Sequence, residues 1–189
     1  GPGAGRAFSR LQRHYGLVVG LGAMLTLARF SEAFLILRAQ DLGLALALVP
    51  AVMVVMNLVY TAVSFPAGVA SDRGAQRKLL FWGLVALIAS DLVLGAGASV
   101  AAVFAGAAFW GMHMGLTQGL LSKLVADAAP PELRGTAFGV FHLVAGVALL
   151  AASVLAGWLW SALGASATFY AGAAFTALAL GGLLVATQR

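Results

Sequence analysis

Residues 68–78 read GVASDRGAQRK, a charged turn that holds Arg73, Arg77 and Lys78, three of the chain's eleven Lys and Arg residues. Long apolar segments flank it on both sides. A helix needs about 20 mostly apolar residues to cross the hydrocarbon core of a bilayer. Working outward from the turn, six such stretches are expected near residues 16–38, 44–70, 78–97, 100–126, 132–160 and 166–187. Their apolar runs are long and unbroken, so helices are expected rather than barrel strands, which alternate over about ten residues.

Composition agrees. The chain is 62% hydrophobic and 9% charged, with a mean hydropathy of +1.00, which leaves too little polar surface for a soluble domain of 189 residues. The expected fold class is therefore all-α, a polytopic six-helix bundle whose first partner is the lipid bilayer. The sequence pI near 10.5 comes from charges beside apolar spans, the pattern of topology determinants, and no basic stripe interleaved with aromatics suggests nucleic acid. Cysteine is absent, so disulfides and thiolate metal sites are excluded.

Orientation follows from the bases. With the N-terminus inside, Arg6, Arg10, Arg13, Arg73, Arg77, Lys78, Lys123, Arg134 and Arg189 fall at the cytoplasmic face, which leaves Arg38 outside and Arg29 within the membrane. Both termini are expected to be cytoplasmic. Gly1-Pro2-Gly3 looks like the remnant of a protease-cleaved tag. Residues 1–13 are taken as that remnant plus a basic lead-in, and 14–189 as one six-helix domain.

Turn chemistry supports the same cuts. Residues 40–43 (QDLG) close the first pair of spans, Ser99 is a candidate N-cap, Pro131 suits a first helical turn, and residues 161–166 form the last turn. Trp82, Trp158 and Trp160 lie near span ends, where indoles are favoured at the membrane interface. Gly111, Gly115 and Gly119 recur every four residues in the fourth span, and Ser153 and Gly157 do so in the fifth, which marks faces where helices approach closely. Pro66 is expected to kink the second span.

The turn at 68–78 resembles the cytoplasmic loop signature of the major facilitator superfamily of secondary transporters. Gly68, Asp72, Arg73, Arg77 and Lys78 match; the second Gly stands at 74, one residue early, Gln76 replaces a base and Ala70 a Leu. Residues 127–139, DAAPPELRGTAFG, with Asp127, Arg134 and Gly135, resemble the turn between the fourth and fifth helices of a facilitator half. That turn and residues 29–34, RFSEAF, are more similar to the C-terminal half. The resemblance implies one half of a twelve-helix fold, as a truncation or a natural half-sized unit. It also implies a second six-helix half as partner, supplied by the N-terminal half of a parent chain or by a second copy, and a bacterial inner membrane. By the same resemblance Asp72 would meet a helix N-terminus of the opposite half, where a carboxylate stabilises exposed N–H groups.

Ionisable side chains inside a span cost at least about 2.5–3.5 kcal/mol, so they face protein or water rather than lipid. Arg29 and Glu32 sit three apart on one expected helical face and can pair locally; a pair between Arg29 and Asp91, at a similar depth, is the alternative. Asn57, Tyr60, Thr61 and Ser64 fall at i, i+3, i+4 and i+7, a single polar face. His113, Thr117 and Gln118 lie midway along the fourth span. Arg29, Glu32, Asn57, Tyr60, Thr61, Ser64, His113, Thr117 and Gln118 are thus the candidates to line a substrate cavity. Glu32, Asp91, His113 and His142 are the candidates to carry protons.

No nucleophile elbow, phosphate-cradling loop or paired catalytic carboxylates occur, and the histidines lack metal-ligand spacing. No enzyme activity, cofactor or metal is expected. The expected function is the transport of a small solute by alternating access, coupled to protons. The competing expectation is a non-transporting half-domain that self-assembles as a homodimer or serves as a folding or assembly unit.

Overall fold

The computed structural model describes residues 2–186. Arg189, counted above as a basic residue, lies outside the described residues, as do Gly1 and the side chains of Arg6 and Arg10. The described chain is helical almost throughout: α1 (Pro2–Ala28), α2 (Ala33–Asp41), α3 (Val49–Asp72), α4 (Gln76–Ala96), α5 (Val100–Ala128), α6 (Arg134–Leu163) and α7 (Ala165–Ala186), with single 3-10 turns leading into α3 and α6. Six segments are long and apolar enough to cross a membrane: Leu11–Asp41, Leu46–Asp72, Gln76–Ala96, Val100–Ala128, Pro131–Leu163 and Ala165–Val185.

The first span departs from expectation. Instead of one helix over 16–38 it is two, and the chain leaves helical geometry at residues 29–32. Neither Gly nor Pro causes this. The α1 ladder ends with the Arg29 amide donating to Leu25 O at 3.1 Å, and α2 restarts with Phe34 N–H to Ser31 O at 3.1 Å and Leu35 N–H to Glu32 O at 3.0 Å. Ser31 serves the gap twice: its Oγ accepts from the Ala33 amide at 3.3 Å, and its own amide donates to Ser153 Oγ on α6 at 3.2 Å. Backbone groups freed by an interruption inside lipid must find such partners within the protein.

Phe30 wedges the gap. Its ring meets Phe34 (5.1 Å between centroids, edge-on), Phe169 (5.6 Å) and Trp110 (5.7 Å, edge-on), and Trp160 joins the cluster through Phe34 (5.8 Å) and Phe169 (6.1 Å). Rings at these separations contribute about 0.5–1.5 kcal/mol per pair beyond the area they cover. Trp160 therefore packs inside the bundle, whereas Trp82 and Trp158 are exposed.

Other turns follow their chemistry. Ser99 caps α5 by accepting from the Ala102 amide at 3.4 Å, and Pro131 opens the 3-10 turn before α6. The α3–α4 turn needs Gly74, whose φ of +86° lies in the left-handed region that side chains resist. The last turn is tighter than the expected 161–166: Gly164 alone, at φ +94°, separates α6 from α7. The helix α3 continues through Pro66.

Helix α5 sits at the centre of the packing, between α3 and α4. A side chain at Gly111 would collide with the Met56 carbonyl of α3, and one at Gly115 would come within 2.8 Å of Val63 and 3.0 Å of Tyr60 O. Gly119, the third member of the stripe, faces open space, as does Gly157. On the other side Ser90 Oγ of α4 donates to Gly106 O of α5 at 2.7 Å. The interior includes Leu35, Val52, Leu84, Leu87, Leu94, Val103 and Trp110. By contrast α3 and α6 expose Leu58, Phe65, Leu143, Leu150 and Val154, apolar surface suited to lipid or to another helical bundle.

Candidate functional site

The interruption in the first span holds Arg29 and Glu32 within electrostatic reach of each other without a salt bridge. Arg29 and Glu32 are both half-buried, and Arg29 interacts electrostatically with Glu32 and with Tyr60 of α3. The expected local ion pair is absent: among the described residues, salt bridges within 4.0 Å join Arg38 to Asp41, and Lys123 to Asp72 and Asp127. The physical reason is the lost helix. Three residues along a helix share a face, but residues 29–32 are not helical.

Arg29 lines a cavity of about 20 Å³ with Thr26, His113, Thr117 and Gln118, and Leu25 and Leu121 complete its lining. The buried His113 contacts Gly83 O through Nδ1 at 2.8 Å. A carbonyl only accepts, so Nδ1 carries the hydrogen and Nε2 is the unspent nitrogen. Thr117 is also buried, and its hydroxyl donates to His113 O at 2.8 Å, while the Thr26 hydroxyl donates to Gly22 O at 2.7 Å. Gln118, half-buried, is on the same wall.

The α3 polar face is open. Asn57 and Thr61 are exposed and Tyr60 and Ser64 half-buried. Asn57 Nδ2 donates back to Met53 O at 2.8 Å and Ser64 Oγ to Tyr60 O at 2.6 Å, so both stay on their own helix.

Asp91 lies apart from Arg29, and the alternative pair between them is not formed. Its carboxyl is fully buried with neither oxygen hydrogen-bonded. It presses on α7: a side chain at Gly172 would meet Asp91 Oδ2 at 2.9 Å and Phe30 at 3.1 Å. Gly172 and Phe30 in turn line an apolar cleft of about 240 Å³ between the first span, α6 and α7. His142 is exposed on α6 against the rings of Phe138 and Phe141, remote from this group.

At the end of the bundle that carries the 68–78 turn, Lys123 reaches Asp127 Oδ2 at 3.2 Å and Asp72 Oδ1 at 3.7 Å. It links the α3–α4 turn to the end of α5 within this half. Arg134 Nε donates to Ala126 O at 3.2 Å, whereas Gly68, Arg73, Arg77, Lys78 and Gly135 are exposed.

Sequence reasoning missed Arg38. It is buried near the opposite end, where Nε donates to Leu94 O (2.9 Å), one terminal nitrogen to Gly97 O (3.1 Å) and Gly95 O (3.4 Å), and the other to Asp41. It caps the carbonyl end of α4, where a cation is favoured. An Asp three residues after an Arg at a helix end was the available signal.

The family model described as Major Facilitator Superfamily matches residues 6–189. An uncharacterized MFS-type transporter of Methanocaldococcus jannaschii is 30% identical across 79% of this chain. The match takes in 39% of that relative, so the chain spans about two-fifths of its length.

Proposed function

Because the chain belongs to the major facilitator superfamily, we propose that it forms one six-helix half, the C-terminal one, of a secondary active transporter that moves a small solute by alternating access. Its work is then transport rather than catalysis. The observation that carries this reading is the interrupted first span. Arg29 and Glu32 stand there half-buried and without a salt bridge between them, and Arg29 is within electrostatic reach of Tyr60 on the polar face of α3. Broken helices in transporters mark the substrate site near the midplane.

In this reading Arg29, Glu32, Asn57, Tyr60, Thr61, Ser64, His113, Thr117 and Gln118 line the solute path. The exposed apolar faces of α3 and α6 meet a second six-helix half, either the N-terminal half of a longer parent chain or a second copy. Both termini lie in the cytoplasm of a bacterium, inside its inner membrane, with the bases on that side. The 68–78 turn and the Asp127–Arg134–Gly135 turn hold one access state through Lys123. Protons couple through Glu32, Asp91, His113 and His142.

The test is reconstitution in proteoliposomes with a pH-sensitive dye inside, a panel of small solutes outside, and native mass spectrometry of the same preparation. Solute-driven proton flux from a defined two-half assembly is the expected result. Uptake that ignores a collapsed pH gradient removes the coupling; a dry homodimer that moves nothing removes transport and leaves an assembly unit.

A further inference from the structure

Two arginines stand nine residues apart in the first span, and they are used in opposite ways. Arg38 spends its guanidinium on three backbone carbonyls and Asp41. Arg29 spends its guanidinium on nothing: no hydrogen bond or salt bridge of its side chain occurs among the described residues. Glu32 is within electrostatic reach yet does not close on it. A guanidinium with five donors that no carboxylate closes on within 4.0 Å, with Glu32 as its nearby charge, has its donors open to an anionic ligand.

The cavity walls point the same way. The Thr26 and Thr117 hydroxyls donate to backbone carbonyls, and His113 Nδ1 is committed to Gly83 O. Among the lining residues the donors not committed in this way are the Arg29 guanidinium and the Gln118 amide, and His113 Nε2 is left as an acceptor. A cation would meet Arg29 at close quarters, and an apolar group would strand both donors. At about 20 Å³ the space takes one water-sized atom, a single oxygen of a ligand or a halide.

We propose that the Arg29–Gln118 cavity receives the carboxylate of the transported solute, so that the substrate class is small organic anions. This rests on the transporter reading above and names the chemistry of its site. One carboxylate oxygen enters the cavity against Arg29 and Gln118, and the second remains toward Tyr60 on the open α3 face.

The experiment is chloride-35 NMR line broadening with the chain in lipid nanodiscs, with empty nanodiscs subtracted and with acetate or methylammonium as competitor. Excess broadening that acetate abolishes and methylammonium leaves intact is expected. Arg29→Gln should weaken binding by about tenfold or more, and Arg29→Lys by less, because a point charge replaces a fork of donors. Gln118→Glu, which places a negative charge at the rim and keeps the side-chain size, should also expel the anion and serves if Arg29→Gln does not fold. Broadening that is absent, that survives both Arg29→Gln and Gln118→Glu, or that acetate cannot displace overturns the assignment; the last outcome leaves an inorganic-anion site. Solute-driven flux without anion binding sinks this proposal and spares the transporter reading. Anion binding without flux does the reverse.

Discussion

Arg38 Nε donates to the Leu94 carbonyl at 2.9 Å, which fastens α2, the second piece of the broken first span, to the end of α4. The same side chain also reaches Gly95 O, Gly97 O and Asp41. Arg38→Ala strands several carbonyls and frees α2, so it should destabilise the fold by roughly 2–4 kcal/mol. Arg38→Lys, which cannot fork, should recover only part of that loss. Thermal unfolding in a fixed lipid environment reads both; an unchanged midpoint for Arg38→Ala would remove the capping role.

The glycine stripe of α5 should divide by position. Gly111→Ala drives a methyl into the Met56 carbonyl of α3, and its neighbours are backbone. A loss of about 1–3 kcal/mol is expected from such overpacking. Gly119→Ala meets nothing within 4 Å and should be neutral or slightly stabilising. Equal effects at the two positions would contradict the packing described.

The interruption at residues 29–32 relies on Ser153 to accept the Ser31 amide. Ser153→Ala leaves that donor unpaired at a cost of about 1 kcal/mol. Hydrogen exchange should accelerate over residues 30–35 while the middle of α4 keeps its protection. Uniform acceleration across the chain would mean that Ser153 acts on the whole fold and not on the gap.

Asp91→Asn keeps the shape of a fully buried side chain whose oxygens have no partners. If Asp91 carries the coupled proton, the variant should lose solute-driven proton flux and retain solute exchange between two equal compartments. Loss of both activities together with a lowered unfolding midpoint would assign Asp91 to structure instead.

Lys123→Met releases Asp72 and Asp127, which are both exposed. Because screened surface pairs add little to folding, the unfolding midpoint should stay in place. A spin label at Arg77 should nevertheless become more mobile, since the α3–α4 turn has lost its tie to α5. An unchanged spectrum would show that Lys123 does not hold the turn.

Much of this architecture was legible in the residues because hydropathy and turn chemistry both act locally. Ser99, Pro131 and Gly74 mark helix boundaries through their own backbone requirements, and the five later spans fall close to where their apolar runs place them. The gap at 29–32 was invisible for the opposite reason. Its backbone groups are satisfied by Ser153, 122 residues away in the chain, and its wedge, Phe30, is held by rings from α5 and α7. Local pattern cannot report on partners supplied by tertiary packing. The cavity at Arg29 was half legible: the intramembrane charge announced itself, but the carbonyl that fixes the His113 ring belongs to Gly83 on another helix.

Gly164 alone separates α6 from α7. Consecutive Cα atoms are about 3.8 Å apart, so a one-residue link has no slack to absorb relative sliding. The facing ends of the two helices are therefore held within one residue of each other. Axial sliding at the Gly164 end of α6 draws the start of α7 with it, about two turns before Gly172, where a side chain would meet Asp91 Oδ2 at 2.9 Å.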